Sequence, residues 1–113
     1  MSVKLERLGH IFTEEISKII HTELRDESIG FITITYTKIS SDLSYAKVYF
    51  SLLDLSRKEE VEKKLNKASN FIRNNLFDRV EIRKMPELTF VYDESIEYGS
   101  KIEHIIDEIN GDE

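Results

Sequence analysis

The spacing of hydrophobic positions predicts a helix followed by two strands in the first half of the chain. Apolar residues in Leu5–Ile20 recur every three or four positions and so share one helical face. We expect this helix to end within Arg25–Glu27, before Gly30. Phe31–Thr37 and Tyr45–Leu52 instead alternate with period two and are rich in β-branched and aromatic residues, which predicts an antiparallel hairpin.

A second, longer helix is predicted in the middle of the chain. Ser56 and Glu59 have the spacing of a capping box, in which each side chain bonds a free backbone N–H of the first helical turn. Apolar residues then recur with helical spacing through Val61–Leu76. The run Ala68-Ser69-Asn70 interrupts this pattern with small and polar residues, so we predict that Ser69 or Asn70 departs from helical geometry and kinks the helix.

A third strand and a short last helix complete the prediction. Glu81–Tyr92 is predicted as a strand in which Pro86 must occupy an edge, a bulge or the start. Isoleucines within 102–109 predict a C-terminal helix, and residues 110–113 are expected to fray. The element order predicts one α+β domain over residues 1–113, with helices covering one face of a three-stranded sheet. A right-handed crossover would make the last two strands parallel if they are adjacent.

Composition is typical of a folded cytoplasmic protein. Of the 113 residues, 40% are hydrophobic and 34% are charged, which suffices for a core and is too apolar for a disordered chain. The absence of cysteine suits a reducing compartment. No apolar run is long enough to span a membrane, and the first seven residues lack the apolar stretch of a signal peptide.

The net charge of −6 hides an uneven distribution. Segment 57–84 has nine Lys and Arg against five Asp and Glu, a balance of +4, whereas segment 85–113 has one against nine, a balance of −8. A local basic patch can bind phosphates even on an acidic protein. Ordinary solvated surface is the alternative interpretation, and charge alone does not exclude it.

No set of residues has the spacing of a catalytic, metal or cofactor site. Cysteine nucleophiles and phosphate-binding glycine loops are absent from the sequence. His104 with Asp107 or Glu108 could contact a metal on one helical face, but no further ligands are evident and a solvated face is favoured. We therefore expect no enzyme activity, no metal and no cofactor.

Two sets of residues are candidates for binding. Lys63, Lys67, Asn70 and Asn74 share one helical stripe, and other basic residues follow at Arg73, Arg79, Arg83 and Lys84. Such a stripe could contact phosphates, although glutamates four residues before Lys63 and Lys64 also suit a helix that only stabilises itself. The second set is Tyr45, Lys47 and Tyr49 on the predicted outer sheet face, where aromatic rings can stack on bases or simply favour the strand.

Longer residue runs in both halves of the chain follow the pattern of a known family. The first half contributes Gly30-Phe31-Ile32-Thr33-Ile34-Thr35, Ser41-Asp42-Leu43 and Ala46-Lys47-Val48-Tyr49-Phe50-Ser51. The second half contributes Ala68-Ser69-Asn70-Phe71-Ile72-Arg73, Arg83, Pro86-Glu87-Leu88-x-Phe90, Asp93-x-Ser95, Gly99 and Ile102. Together they resemble ribosome-binding factor A over about Lys4 to Ile109.

The resemblance implies a type II KH-like fold, with the order helix, strand, strand, kinked helix, strand. It implies a bacterial factor that binds the immature small (30S) ribosomal subunit, acts late near the 5′ end of 16S rRNA, and supports growth in the cold. A GTPase of late subunit maturation is implied as a functional partner, and no reaction is implied. We expect a monomer with the small subunit and its rRNA as partners. The alternative is a ribosome-associated protein-interaction module that uses the acidic tail or the outer sheet face.

The chain departs from the family pattern at several positions. The usual Ala-x-Gly kink is Ala68-Ser69-Asn70 here, and the usual Asp-Pro after the first helix is Asp26-Glu27. The family's paired basic residues near the N-terminus correspond to Lys4 and Arg7. The glycine loop of sequence-reading KH domains is missing, which favours recognition of RNA shape and backbone. The expected RNA-binding residues are Lys4, Arg7, Lys63, Lys67, Asn70, Arg73, Arg79, Arg83 and Lys84.

Overall fold

The computed structural model describes residues 3–95, so the predicted C-terminal helix lies outside the described residues. Helix α1 spans Val3–Ile19 and continues as a π-helical turn, Ile20–Leu24. Strands β1 and β2 span Ile32–Ile39 and Tyr45–Leu52. A 3₁₀ turn, Leu55–Arg57, leads into helix α2, Lys58–Lys67, and helix α3, Ser69–Phe77. Strand β3 spans Glu87–Tyr92.

The sheet has the strand order β1-β2-β3. Strands β1 and β2 are antiparallel, which confirms the predicted hairpin, and β2 and β3 are parallel. Alternate residues of each strand are buried, and the helices pack against that side of the sheet. The α+β architecture and the order helix, strand, strand, broken helix, strand are therefore as expected for a type II KH-like fold.

The core lies between the helices and one face of the sheet. The predicted strands and the broken helix contribute apolar residues that recur with strand or helical spacing and are all buried: Val48, Phe50, Leu65, Ile72, Leu88 and Phe90. Helix α1 contributes Phe12, Ile16 and Ile19, each fully buried. Helical and strand periodicity therefore located the core correctly.

Strand β1 contains a β-bulge that alternation does not predict. Ile34 pairs with Phe50, but Tyr36 pairs with Tyr49, so Thr35 is an extra residue on β1. A bulge shifts the following side chains to the opposite face. Thr37 consequently lies in the interior, whereas Tyr36 is 43% exposed on the outer face.

Asp-x-Ser turns end several elements. The side chains of Asp26, Asp42, Asp54 and Asp93 each accept a hydrogen bond from the backbone N–H two residues later, at 2.9–3.1 Å. The predicted capping box at Ser56 is wrong for this reason. Asp54 caps the 3₁₀ turn by accepting from both the N–H and the hydroxyl of Ser56, and α2 begins only at Lys58, with no side-chain hydrogen bond at its N-cap Arg57.

The third strand is shorter than predicted. Residues 81–86 are not a strand, and pairing with β2 begins at Glu87. Pro86 is buried directly before the strand, in the start position that its missing N–H allows. Helix α1 and its π-helical turn end as predicted, at Arg25, whose φ of 46° reverses the chain.

Helix α1 lies unusually close to β1 at Gly9. A Cβ atom built on Gly9 would stand 2.6 Å from the backbone oxygen of Thr37. One turn later, the Thr13 hydroxyl donates to the Gly9 carbonyl at 2.9 Å and lies 3.0 Å from the Thr37 hydroxyl. Glycine at this position therefore sets the distance between the helix and the sheet.

We expect Gly9→Ala to destabilise the protein by about 1–3 kcal/mol, because the new methyl group meets backbone that cannot move cheaply. Alanine would otherwise favour the helix by roughly 1 kcal/mol. His10→Ala, at the exposed neighbouring position, is the control and should stay within about 0.5 kcal/mol of the parent. Urea unfolding measures both, and a Gly9→Ala protein as stable as the parent would contradict the close approach.

The Asp-x-Ser turns predict an acid-sensitive stability. Serine hydroxyls donate to the carboxylates of Asp26, Asp42 and Asp54 and lower the pKa of each. A lowered folded-state pKa contributes stability above the ordinary value near about 4 and loses it as pH falls through the folded value. We expect Asp42→Asn to flatten the decline in unfolding free energy between about pH 4 and pH 2. An unchanged pH profile would show that the turn carboxylate contributes nothing.

Candidate nucleic-acid interface

The helix covering β3 is broken at Ala68. Its φ of −89° and ψ of 3° leave helical geometry, while its N–H still bonds the carbonyls of Lys64 and Leu65 at 3.1 Å. The break lies within the predicted run Ala68-Ser69-Asn70, but at its first residue. Ser69 and Asn70, where the departure from helical geometry was predicted, are both helical and begin α3. Ala68 is half-buried and packs against the core, where its single methyl group fits the corner between the two helices.

Side chains of α2 occupy the outer edge of β3. The Asn66 side chain accepts from the Phe90 N–H at 2.8 Å and donates to the Phe90 carbonyl at 2.9 Å, as a neighbouring strand would. The Glu62 carboxylate accepts from the Tyr92 N–H at 2.9 Å. These two residues are therefore structural.

Arg73 from α3 holds the segment that enters β3. Its guanidinium donates to the Pro86 carbonyl at 3.0 Å and to the Met85 carbonyl at 2.7 Å. Both carbonyl-bearing residues are buried. Arg73, expected to contact RNA, is thus engaged by the protein's own backbone.

Arg79 is also paired within the protein. Its guanidinium lies 3.3 Å from Glu15 and 3.6 Å from Glu23, and only 30% of its side chain is exposed. The acidic side of α1 thereby neutralises one cation of the basic segment. Glu15 also lies 3.6 Å from the amine of Lys18 on the same helix.

The remaining basic residues of the segment are available to solvent. Lys63 and Lys67 are exposed and, within residues 3–95, neither has a carboxylate within 4 Å. Glu60 pairs with Lys64 at 3.4 Å, so the self-stabilising interpretation of the helix holds for Lys64 only. Asn70 is exposed one turn after Lys67 and continues the stripe.

Four more expected residues lie on other elements. Arg83 and Lys84 are exposed in the segment before β3, where the Lys84 amine donates to the Ser44 hydroxyl of the hairpin turn at 3.0 Å. Lys4 and Arg7 are exposed in the first turns of α1. The structure thus separates the expected set into available cations and the engaged pair Arg73 and Arg79.

The outer face of the sheet carries a second group of side chains. Tyr36 and Tyr49 stack with ring centres 4.3 Å apart. Burial, followed by the hydrogen bond with Tyr49, raises the pKa of Tyr36. Lys38 lies directly opposite Lys47 in the hairpin register. Sequence alternation found Tyr45, Lys47 and Tyr49 but missed Tyr36 and Lys38, because the bulge at Thr35 brings them to this face.

Metal and membrane sites are not found in the described part of the chain. No group of three His, Asp or Glu side chains there could hold a metal ion. None of the helices within residues 3–95 combines the length and apolar character needed to cross a membrane.

Comparison with known proteins assigns the family. Residues 4–106 match the family model for ribosome-binding factor A. The chain belongs to the ribosome-binding factor A family. A Staphylococcus epidermidis member named ribosome-binding factor A is 43% identical over 110 residues, covering 96% of this chain and 95% of that protein.

Solved structures of ribosome-binding factor A have the same fold. The crystal structure of the Thermus thermophilus protein superposes with a TM-score of 0.72 at 23% identity, covering 78% of this chain and 94% of that one. A T. thermophilus homology model, fitted into a cryo-EM map of a 30S–ribosome-binding factor A complex, gives a TM-score of 0.59 at 25% identity. It covers 83% of this chain and 97% of that one.

In this family member, the engaged and available arginines should respond differently to truncation. Arg73→Ala removes the donors from two buried carbonyls and should cost about 1–3 kcal/mol of unfolding free energy. Arg83→Ala is the matched control and should change it by less than about 0.5 kcal/mol. Urea unfolding of both variants tests the assignment, which equal losses would refute.

Proposed function

We propose that the protein binds the immature small ribosomal subunit and assists late maturation of 16S rRNA near its 5′ end, including in the cold. Membership of the ribosome-binding factor A family supports this proposal, as does the complex between the T. thermophilus relative and the 30S subunit. The proposal includes a cytoplasmic location, a single domain over residues 1–113 and a monomeric protein.

The observation that carries the proposal is the row of unneutralised cations on α2. Lys63 and Lys67 point to solvent without a carboxylate within 4 Å in the described residues, although the whole chain has a net charge of −6. Diffuse attraction cannot give such a protein affinity for RNA, so binding must depend on a local surface. Phosphate contacts made by a few exposed amines supply that affinity.

The geometry of the broken helix favours contact with RNA backbone rather than with bases. KH domains clamp nucleotides with a glycine loop, and the break between α2 and α3 in this chain has Ala68 and no glycine. Long, flexible amines on both sides of the break suit phosphates spread over an RNA surface. We therefore assign Lys63, Lys67, Asn70, Arg83 and Lys84 to the contact surface, with Lys4 and Arg7 as an outlying pair.

The proposed role is binding without catalysis. Family members are named for ribosome binding, and release from the subunit would be assisted by a GTPase of late maturation. Arg73 and Arg79 act indirectly in this proposal, because they maintain the helices that carry the amines.

Titration of small subunits at several salt concentrations tests this assignment. Lys63→Ala, Lys67→Ala and Arg83→Ala should each weaken binding, and each should flatten the log–log salt slope by about one, because each removes one phosphate contact. Lys64→Ala is the control, since Glu60 already neutralises that amine, and its effect should be smaller.

Binding with an unchanged salt slope in all three variants would contradict the phosphate surface. The alternative, a protein-interaction module on the ribosome, would then explain any remaining association.

A further inference from the structure

The outer face of the hairpin contains a groove that the proposed function does not use. Tyr45, Lys47 and Tyr49 from β2 line it together with Lys38, Ile39 and Ser40 from β1 and the turn, and its volume is about 190 Å³. A larger groove of about 400 Å³ between α1 and β1 shares Lys38 and Ile39 with it. The two grooves therefore meet at Lys38 and Ile39, and the amines of α2 line neither of them.

Two like charges meet at the centre of this groove. Lys38 and Lys47 are cross-strand partners and both are exposed. Directly opposed like charges destabilise a hairpin, since their Cβ atoms are only about 5 Å apart. Within residues 3–95, no carboxylate lies within 4 Å of either amine, although Glu6 lines the larger groove. An anion between the two amines would remove this repulsion.

Aromatic rings flank the paired amines along the strand. Tyr45 is 62% exposed, and the ring of Tyr49 stacks on the ring of Tyr36. Tyr45 and Tyr49 are four residues apart on one strand face, hence separated by about 13 Å, with Lys47 between them. Bases and phosphates alternate along single-stranded RNA. Aromatic rings on either side of a pair of lysines offer stacking surfaces for the bases and positive charge for the phosphate.

We propose that this groove binds single-stranded RNA, with a phosphate between Lys38 and Lys47, one unpaired base stacked on Tyr45 and another against the stacked pair of Tyr36 and Tyr49. The inference rests on the proposed function only for the class of ligand, because it concerns a different face of the molecule. Duplex RNA is excluded from this mode, since its bases are already stacked on each other. The exposed Glu87, beside Tyr45 in the sheet register, opposes the RNA and limits its affinity.

Binding of a short single-stranded oligoribonucleotide to the full chain, followed by NMR and by titration at several salt concentrations, tests the groove. Amide shifts should concentrate in β1 and β2. The double variant Lys38→Ala/Lys47→Ala should reduce the log–log salt slope by about 0.7, the value for one phosphate contact with a single strand. Tyr45→Ala should weaken binding about fivefold or more, and Tyr45→Phe should restore it, because stacking needs only the ring.

Controls separate the groove from general charge effects. Lys18→Ala removes an exposed amine of α1 that pairs with Glu15, and it should bind the oligonucleotide like the parent. Glu87→Gln should bind equally or more tightly. A blunt-ended duplex of the same length, which has no unpaired bases, should bind the parent and the Tyr45→Ala variant equally.

Three outcomes would overturn the inference. The first is amide shifts confined to α2 and α3, and the second is an equal loss of duplex and single-strand binding in Tyr45→Ala. The third is displacement of the oligonucleotide by an acidic peptide at a concentration similar to that of the oligonucleotide itself. If Lys63→Ala and Lys67→Ala abolish subunit binding while the groove variants leave oligonucleotide binding unchanged, the groove fails and the proposed function stands. If the groove variants weaken oligonucleotide binding while Lys63→Ala and Lys67→Ala leave subunit binding unchanged, the groove is supported and the proposed function is refuted.

Discussion

The free edge of β3 is the constraint on which the arrangement of the second half of the chain depends. A parallel strand bonded to β2 on one side leaves backbone N–H and carbonyl groups on the other, and buried groups of this kind need partners. Asn66 and Glu62 of α2 supply them at Phe90 and Tyr92, and Arg73 of α3 bonds the buried carbonyls of Met85 and Pro86 directly before the strand. One straight helix would carry its later side chains away from a twisted strand, so the break at Ala68 lets both helices follow it.

This structural demand divides the basic segment into two classes. Arg73 bonds backbone carbonyls and Arg79 bonds glutamates of α1, so both guanidinium groups stabilise the fold. Lys63 and Lys67 instead lie on the exposed side of α2, away from the core. The division suits the chemistry of the side chains. The planar guanidinium group of arginine can donate to two fixed acceptors at once, whereas the flexible amine of lysine can follow phosphates whose positions vary.

Within residues 3–95, periodicity was enough to predict the main helices, the strands and the core, because burial on one face repeats along the sequence. The right-handed crossover rule supplied the parallel pairing. Periodicity failed where the structure depends on the backbone conformation of a single residue. The bulge at Thr35 and the break at Ala68 each follow from the fit to distant elements. The site was predicted only in part for the same reason: the partners of Arg73 lie 12 and 13 residues away, and those of Arg79 lie 56 and 64 residues away. No local spacing distinguishes these arginines from Arg83.

Asn66 and Glu62 have a further consequence for the behaviour of the protein at high concentration. An unoccupied strand edge is a template on which another chain can extend the sheet, and such addition starts aggregation and domain exchange. Here an amide and a carboxylate occupy the hydrogen-bonding positions that an incoming strand would need. At Phe90 and Tyr92, the side chains that position α2 therefore also block sheet extension.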